Sequence, residues 1–218
     1  MEKVFFALYL LFGAVHLYHS WKDDMKRRKL TKPLLMLTLA LYYAASATKI
    51  SWLLLMALLT SWLGDVMLIP KGHRWFARGG VFFLISHVLF MAVCVPSLRM
   101  HAVPWLLVAL MAPAYYGTSV WIMTAVSPTT PKKMIKPMGM YLLTNSTMNL
   151  MALVRMFSMR SIGSVVVYAG ALLFFMSDCT LFFVRYYRKP EVIFKKHFTV
   201  MATYLAGEFF MTLGILMQ

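Results

Sequence analysis

Three acidic residues lie inside long apolar stretches of the chain, where a carboxylate is costly. Asp65 interrupts the run LTSWLGDVMLIP, Asp178 interrupts LFFMSDCTL, and Glu208 follows ATYLAG. Ionisable residues inside membrane helices usually face the bundle interior or a wet cavity, and they indicate a functional site by default. A purely structural carboxylate would favour a basic partner, but neither the stretch around Asp65 nor that around Asp178 contains Lys or Arg before its end. Both aspartates are therefore candidate catalytic residues.

Two carboxyl groups in one poorly solvated site suit acid–base chemistry. Because desolvation and mutual repulsion oppose ionisation of both groups, one is expected to hold a proton while the other stays charged. Such a pair supports hydrolysis through an oxocarbenium-like state, in which the acid protonates the substrate and the base activates water. The alternative is a protein without hydrolytic activity, either a proton-coupled transporter that uses the carboxylates as a relay or a lipid-binding membrane protein.

The composition predicts the elements that must position these residues. Of 218 residues, 61% are hydrophobic and 13% are charged, and the mean hydropathy is +0.71, a balance typical of integral membrane proteins. Eight apolar runs have lengths that suit a hydrocarbon core about 30 Å thick. We predict helices for all eight, since a chain in lipid must satisfy its backbone internally and these runs lack the alternation of barrel strands. The predicted fold is an all-α, multi-pass bundle of eight transmembrane helices forming one domain, 1–218, with spans near 4–20, 33–48, 50–70, 79–97, 103–126, 138–154, 162–184 and 198–217.

The basic residues follow the predicted topology. Of 22 Lys and Arg residues, 17 fall in the first, third, fifth and seventh loops, and five fall on the other side of the membrane. By the positive-inside rule, the odd loops face the cytoplasm and both termini face the non-cytoplasmic side. The excess of Lys and Arg over Asp and Glu is therefore explained by membrane topology, and the sequence predicts no nucleic-acid partner.

Polar residues on several spans are predicted to lie at one depth. In the proposed topology Asp65 and Asp178 lie roughly 8 and 10 Å from their cytoplasmic helix ends, and His87 and Asn145 lie roughly 10 to 12 Å deep. Glu208 lies about a turn deeper. The sequence therefore predicts a polar cavity in the cytoplasmic half of the membrane.

The neighbours of these groups complete the predicted cavity lining. Asn149 shares a helix face with Asn145 and Tyr141 through i, i+4 spacing, and Tyr204 precedes Glu208 by one turn. For the histidine and the asparagines, hydrogen bonding between helices is the competing interpretation. The predicted substrate-binding residues are His87, Tyr141, Asn145, Asn149, Tyr204 and Glu208.

The sequence predicts neither a metal site nor a cofactor. Two aspartates and a histidine could contribute ligands, but no helix carries an H-x-x-x-H or E-x-x-H pair, the spacings that place two ligands on one helix face. The expected binding partners are membrane lipids and a lipid substrate, because a site at the leaflet boundary meets lipids first.

Several motifs resemble those of the YhhN family of eight-span membrane proteins, which includes the lysoplasmalogenases. The resemblance follows the chain in order over nearly its whole length. Three features form a specific set. They are a Gly-Asp pair on the third span, Phe83 and His87 four and eight residues after Gly79, and a Ser-Asp pair on the seventh span. The matching segments are TKP at 31–33, GDVML at 64–68, FARGGVFFLISH at 76–87, YLLTNSTM at 141–148, LFFMSDCTL at 173–181 and ATYLAGE at 202–208.

The resemblance implies hydrolysis of the vinyl ether bond of a lysoplasmalogen, an ether lysophospholipid. The implied products are a fatty aldehyde and glycerophosphoethanolamine or glycerophosphocholine, formed without an established need for a metal. By match to the family's acidic motifs, Asp65 and Asp178 are the implied catalytic residues. The chain departs from the family pattern at Glu208, where a glutamine is usual, and at Phe90, where a tyrosine is frequent.

Overall fold

The structure is a computed structural model that describes residues 1–218, apart from the side chain of Ser97. Within the described residues the backbone forms eight α-helices, four short 3-10 helices and no β-strand. The predicted all-α class and the count of eight helices are therefore confirmed. The α-helices are α1 (Glu2–Trp21), α2 (Met25–Ser46), α3 (Trp52–Met67), α4 (His73–Cys94), α5 (Trp105–Val126), α6 (Lys132–Met159), α7 (Ile162–Tyr186) and α8 (Lys196–Leu216).

The described helices include five that are long and apolar enough to cross a membrane. These are α1, α4, α5 with the 3-10 turn that follows it, α7 and α8. Helix α3 is apolar but shorter, at 16 residues. Segments of this length and hydropathy identify an integral membrane protein.

Helix α2 begins eight residues before the predicted start of the second span at 33. Asp24 caps its N-terminus, because one carboxylate oxygen accepts hydrogen bonds from the backbone N–H groups of Lys26 and Arg27. Asp and Asn stabilise helix starts in this way. Pro33, expected near the start of the span, lies inside the helix. The basic segment before Pro33 is therefore helical and has a fixed orientation.

Helices α4 and α6 also extend beyond the predicted spans. Helix α4 begins at His73 rather than at 79, and α6 covers Lys132–Met159 rather than 138–154. The sequence prediction counted only residues apolar enough for lipid, whereas a helix can continue into the polar interface, where charged side chains are solvated.

The chain forms two compact units, Met1–Val93 and Cys94–Gln218. In the first unit, α3 and α4 make a close contact through small residues. The Ser61 and Ser86 hydroxyls lie 2.8 Å apart, and Ser86 donates to the carbonyl oxygen of Ala57. A Cβ atom on Gly64 would lie 2.7 Å from the ring of Phe83. The glycine before Asp65 thus lets an aromatic side chain of α4 pack against α3.

In the second unit, α7 and α8 pack backbone to backbone along a seam of glycines. A Cβ atom on Gly170 would lie 2.7 Å from the carbonyl oxygen of Gly207, and one on Gly214 would lie 2.5 Å from that of Gly163. The two glycines of each helix are seven residues apart, so they lie on one face. Small residues permit this close approach of membrane helices, which fixes α7, the helix that carries Asp178.

Helices α5 and α6 of the second unit are joined by paired hydroxyl groups. Ser119 and Ser146 lie 2.8 Å apart, and the Tyr116 hydroxyl lies 3.1 Å from that of Thr147. Neither helix contains an acidic residue. Their contact therefore depends on neutral hydrogen bonds, of the kind that join membrane helices.

Candidate functional site

Asp178 lies at the centre of a buried polar cluster in the second unit. Its Oδ2 atom accepts a hydrogen bond from the Tyr141 hydroxyl at 2.8 Å and another from Nδ2 of Asn145 at 2.8 Å. All three side chains are buried, with exposed fractions of 5%, 7% and 0%. Two neutral donors one turn apart on α6 therefore hold the carboxyl in one orientation, as burial of such a group requires.

Three further predicted site residues are buried in the second unit, and two of them interact with this cluster. Asn149 donates from Nδ2 to the backbone carbonyl and the side-chain oxygen of Asn145, at 3.0 and 3.2 Å. Glu208 is fully buried and close enough to interact electrostatically with Tyr141. Tyr204 packs edge-on against Phe174, with ring centroids 5.5 Å apart. The second unit thus brings together the polar residues that the sequence placed on the sixth, seventh and eighth spans.

The packing of α7 on α8 determines where the cluster lies. Gly170 and Gly207 bring the two backbones together, and Ser177, next to Asp178, donates a hydrogen bond to the carbonyl oxygen of Val200 at 2.9 Å. Phe182, one turn after Asp178 on α7, packs edge-on against the ring of Tyr141, with centroids 5.5 Å apart. These contacts restrict the rotation of α7 and so fix the direction of the Asp178 side chain.

Asp65 has a basic partner in the first unit. The ammonium nitrogen of Lys32 on α2 lies 3.2 Å from Oδ1 of Asp65. The side chain of Asp65 is 2% exposed and that of Lys32 is 17% exposed. The two spans that carry the aspartates contain no Lys or Arg before their ends. The expectation that Asp65 lacks a basic partner was therefore wrong, because the partner comes from a neighbouring helix.

Lys32 and His16 are not among the predicted site residues. Hydropathy assigns Lys32 to a loop, and the first span, which holds His16, carries no predicted site residue. His16 is buried, and its Nδ1 atom lies 2.7 Å from the hydroxyl of Thr31, the neighbour of Lys32. The signals that could have identified both residues were the TKP motif at 31–33 and the histidine that interrupts the apolar run of the first span.

His87 is fully buried on α4, and a contact with the backbone of its own helix orients its ring. Its Nδ1 atom lies 2.5 Å from the carbonyl oxygen of Phe83. Because a carbonyl only accepts, Nδ1 is the donor in this hydrogen bond. The spacing of Phe83 and His87 in the sequence motif thus corresponds to one turn of α4 closed by this side-chain hydrogen bond.

The predicted residues therefore form two sets. Asp65 and His87 lie in the first unit with the partners named above, and the other six lie in the second unit. That all eight line one cavity stays a prediction from the sequence. Within the described residues, no group of three His, Cys, Asp or Glu side chains could hold a metal ion.

Comparison with known proteins gives one match. The chain matches the protein-family model of the YhhN family over residues 27–215. No curated protein matches it, and neither does any solved structure.

Proposed function

We propose that this chain, which belongs to the YhhN family, is a membrane hydrolase that cleaves the vinyl ether bond of lysoplasmalogens. The observation that carries the proposal is the buried carboxyl of Asp178, which two neutral donors hold in one orientation. Asp178 lies in the segment that resembles the family's second acidic motif. A buried, oriented carboxyl on an apolar helix is suited to proton transfer with a lipid.

The reaction needs one acid, one base and one water molecule. Protonation of the β-carbon of the vinyl ether gives an oxocarbenium ion, and water then adds to the α-carbon while a base accepts its proton. The resulting hemiacetal collapses to a fatty aldehyde as its bond to the glycerol oxygen breaks. That oxygen takes up a proton, and glycerophosphoethanolamine or glycerophosphocholine leaves with a free hydroxyl group. One water is consumed and no electrons are exchanged. We assign the acid and base roles to Asp65 and Asp178 as a pair.

The two carboxyls have different surroundings, as an acid–base pair requires. Asp65 lies 3.2 Å from the Lys32 ammonium group, whereas Asp178 accepts hydrogen bonds from neutral Tyr141 and Asn145. Unequal environments are how two carboxyls take opposite roles at one pH. This contrast supports separate functions for the two aspartates.

The remaining predicted residues are assigned to substrate binding. Neutral hydroxyl, amide and imidazole groups can hydrogen-bond to the glycerol and phosphate oxygens of a lysophospholipid. The acidic Glu208 would favour a head group that carries a cation, such as ethanolamine or choline. The proposed substrate-binding residues are His87, Tyr141, Asn145, Asn149, Tyr204 and Glu208.

The test is to incubate detergent-purified protein with lysoplasmalogen and to detect the free aldehyde by mass spectrometry. Wild type is expected to release aldehyde, and Asp65→Asn and Asp178→Asn are each expected to abolish its release while the protein stays folded. Asp23→Asn is the matched control. It replaces the same carboxylate by the same amide, but at an exposed position outside the apolar stretches.

Three outcomes would contradict the proposal in different ways. An aspartate variant with normal turnover would exclude that residue from the mechanism. Folded wild type that releases no aldehyde would exclude this substrate. Flux driven by a pH gradient in sealed vesicles, with every added lipid intact, would identify a transporter instead.

A further inference from the structure

A groove of about 560 Å³ lies between α5 and α6 in the second unit, apart from the Asp178 cluster. Tyr116 and Met123 line it along α5, Ser127 lines it from the 3-10 turn that follows, and Ile135 and Gly139 line it along α6. From Ile135 to Leu143 at its other end, the wall formed by α6 runs for about 12 Å. Its volume lies within the range of about 300–1,000 Å³ that is typical of ligand pockets.

The hydroxyl groups in the groove wall already have hydrogen-bond partners. Ser119 pairs with Ser146, Tyr116 pairs with Thr147, and Thr124 donates to the carbonyl oxygen of Trp121. A ligand in the groove therefore meets a wall that is effectively apolar, and it gains little by offering polar atoms. An alkyl chain has the matching chemistry and shape.

Gly139 keeps the groove open in the middle of the α6 wall. The nearest atom to a Cβ on Gly139 is the terminal methyl of Met123, at 3.9 Å. A larger side chain would therefore extend into the groove without striking backbone. Helix α5 is also little covered by the rest of the protein, since only 17% of the residues in its apolar stretch are buried. Bilayer lipids therefore have access to this face.

Two lysines lie in line with the groove at its Ile135 end. Lys132 and Lys136 precede Gly139 by seven and three residues, which places them on the same face of α6. Both are exposed, and neither makes an ion pair among the described side chains. Lys133 is also exposed, about 60° around the helix from Lys136 and about 100° from Lys132, so it adds to the positive charge at this end. An unneutralised positive charge thus stands where the apolar groove begins.

We propose that the α5–α6 groove binds an anionic phospholipid of the bilayer, with an acyl chain along the groove and the phosphate at Lys132 and Lys136. Basic residues beside a cleft between membrane helices recognise anionic head groups, and each adds about 1 kcal/mol near a charged surface. This lipid is a resident ligand rather than the substrate, so the proposal does not depend on hydrolysis of lysoplasmalogen.

Native mass spectrometry of purified protein in mild detergent tests the proposal. Phosphatidylglycerol and phosphatidylcholine with identical acyl chains are titrated separately, and phosphatidylglycerol is expected to bind more tightly. The double variant Lys132→Gln/Lys136→Gln should weaken phosphatidylglycerol binding by a factor of about five per lysine, roughly 25 in all. Lys3→Gln/Lys49→Gln removes the same net charge from exposed positions outside α5 and α6 and should leave binding unchanged.

The second arm tests the groove itself. Gly139→Leu should weaken both lipids, whereas Gly117→Leu should not, because Gly117 of α5 is exposed and does not line the groove. Gly139→Ala fits the open space and serves if Gly139→Leu fails to fold, with a smaller loss expected. Equal binding of the two lipids, or insensitivity to the Lys132/Lys136 and Gly139 changes, would overturn the proposal.

Discussion

Lys32 of α2 and Asp65 of α3 form an ion pair, with 3.2 Å between Nζ and Oδ1. Helix α2 presents this lysine because it begins at Met25, so the turns before Pro33 are already helical. Trp62 of α3 fixes the same region by donating a hydrogen bond from Nε1 to the carbonyl oxygen of Pro33 at 2.8 Å. The TKP segment thus has a structural explanation, since it delivers a cation to a buried carboxylate.

We predict that Lys32→Met destabilises the protein. Removing one partner of a buried ion pair leaves the other charge uncompensated, which costs about 3–5 kcal/mol. The partial exposure of Lys32 places the expected loss near the lower end of that range. Thermal unfolding in detergent measures it, with Lys29→Met as the matched change at an exposed position of the same helix.

The double variant Lys32→Met/Asp65→Asn separates the ion pair from other effects. If the pair is coupled, the double variant should be more stable than the sum of the two single changes predicts. Simple additivity would show that the two charges do not stabilise each other.

We predict that Tyr141→Phe slows aldehyde release while the protein stays folded. The change removes one of two hydrogen bonds to Asp178. A hydrogen bond contributes about 0.5–1.5 kcal/mol if the carboxyl is protonated and about 1.5–3 kcal/mol if it is ionised, so turnover should fall roughly 2- to 150-fold. Tyr168→Phe removes a tyrosine hydroxyl that pairs with Tyr115, and its turnover should match wild type. A Tyr141→Phe protein with full activity would show that this bond does not orient a reacting group.

We predict that Gly170→Ala or Gly207→Ala disrupts the α7–α8 contact. In each case the added methyl group would lie within 3.0 Å of backbone atoms of the other helix. Overpacking of this kind typically costs about 1–3 kcal/mol. Displacement of α7 should also reduce turnover, since α7 carries Asp178. Gly117→Ala meets nothing within 4 Å, and it should raise the unfolding temperature slightly because alanine favours helix. Unchanged stability of both variants would show that α7 and α8 do not pack backbone to backbone at these glycines.

We predict that both termini lie on the non-cytoplasmic side of the membrane. The expectation comes from the 17 basic residues of the odd loops against five elsewhere. Fusions of a reporter that is active on only one side, placed at the C-terminus and within the loop at 127–131, should report opposite sides. A C-terminal reporter in the cytoplasm would overturn the depth argument that grouped the polar residues.

Much of the fold follows from composition and periodicity. Apolar runs predict eight helices, because a backbone in lipid has few other ways to satisfy its polar groups. The structure has eight helices, of which five are long and apolar enough to cross a membrane. The i, i+4 spacing of Tyr141, Asn145 and Asn149 placed them on one helix face, and the structure shows the first two donating to the same carboxylate oxygen. Such regularities are local, so the sequence alone determines them.

Only the tertiary structure decided which groups neutralise or orient the aspartates. The partner of Asp65 is 33 residues away in sequence, and the donors to Asp178 are 37 and 33 residues away. Hydropathy assigns Lys32 to a loop because it measures the tolerance of each residue for lipid, not the rotation of one helix against another. That rotation depends on close contacts such as Gly64 with Phe83 and Gly170 with Gly207, which are packing relations between helices.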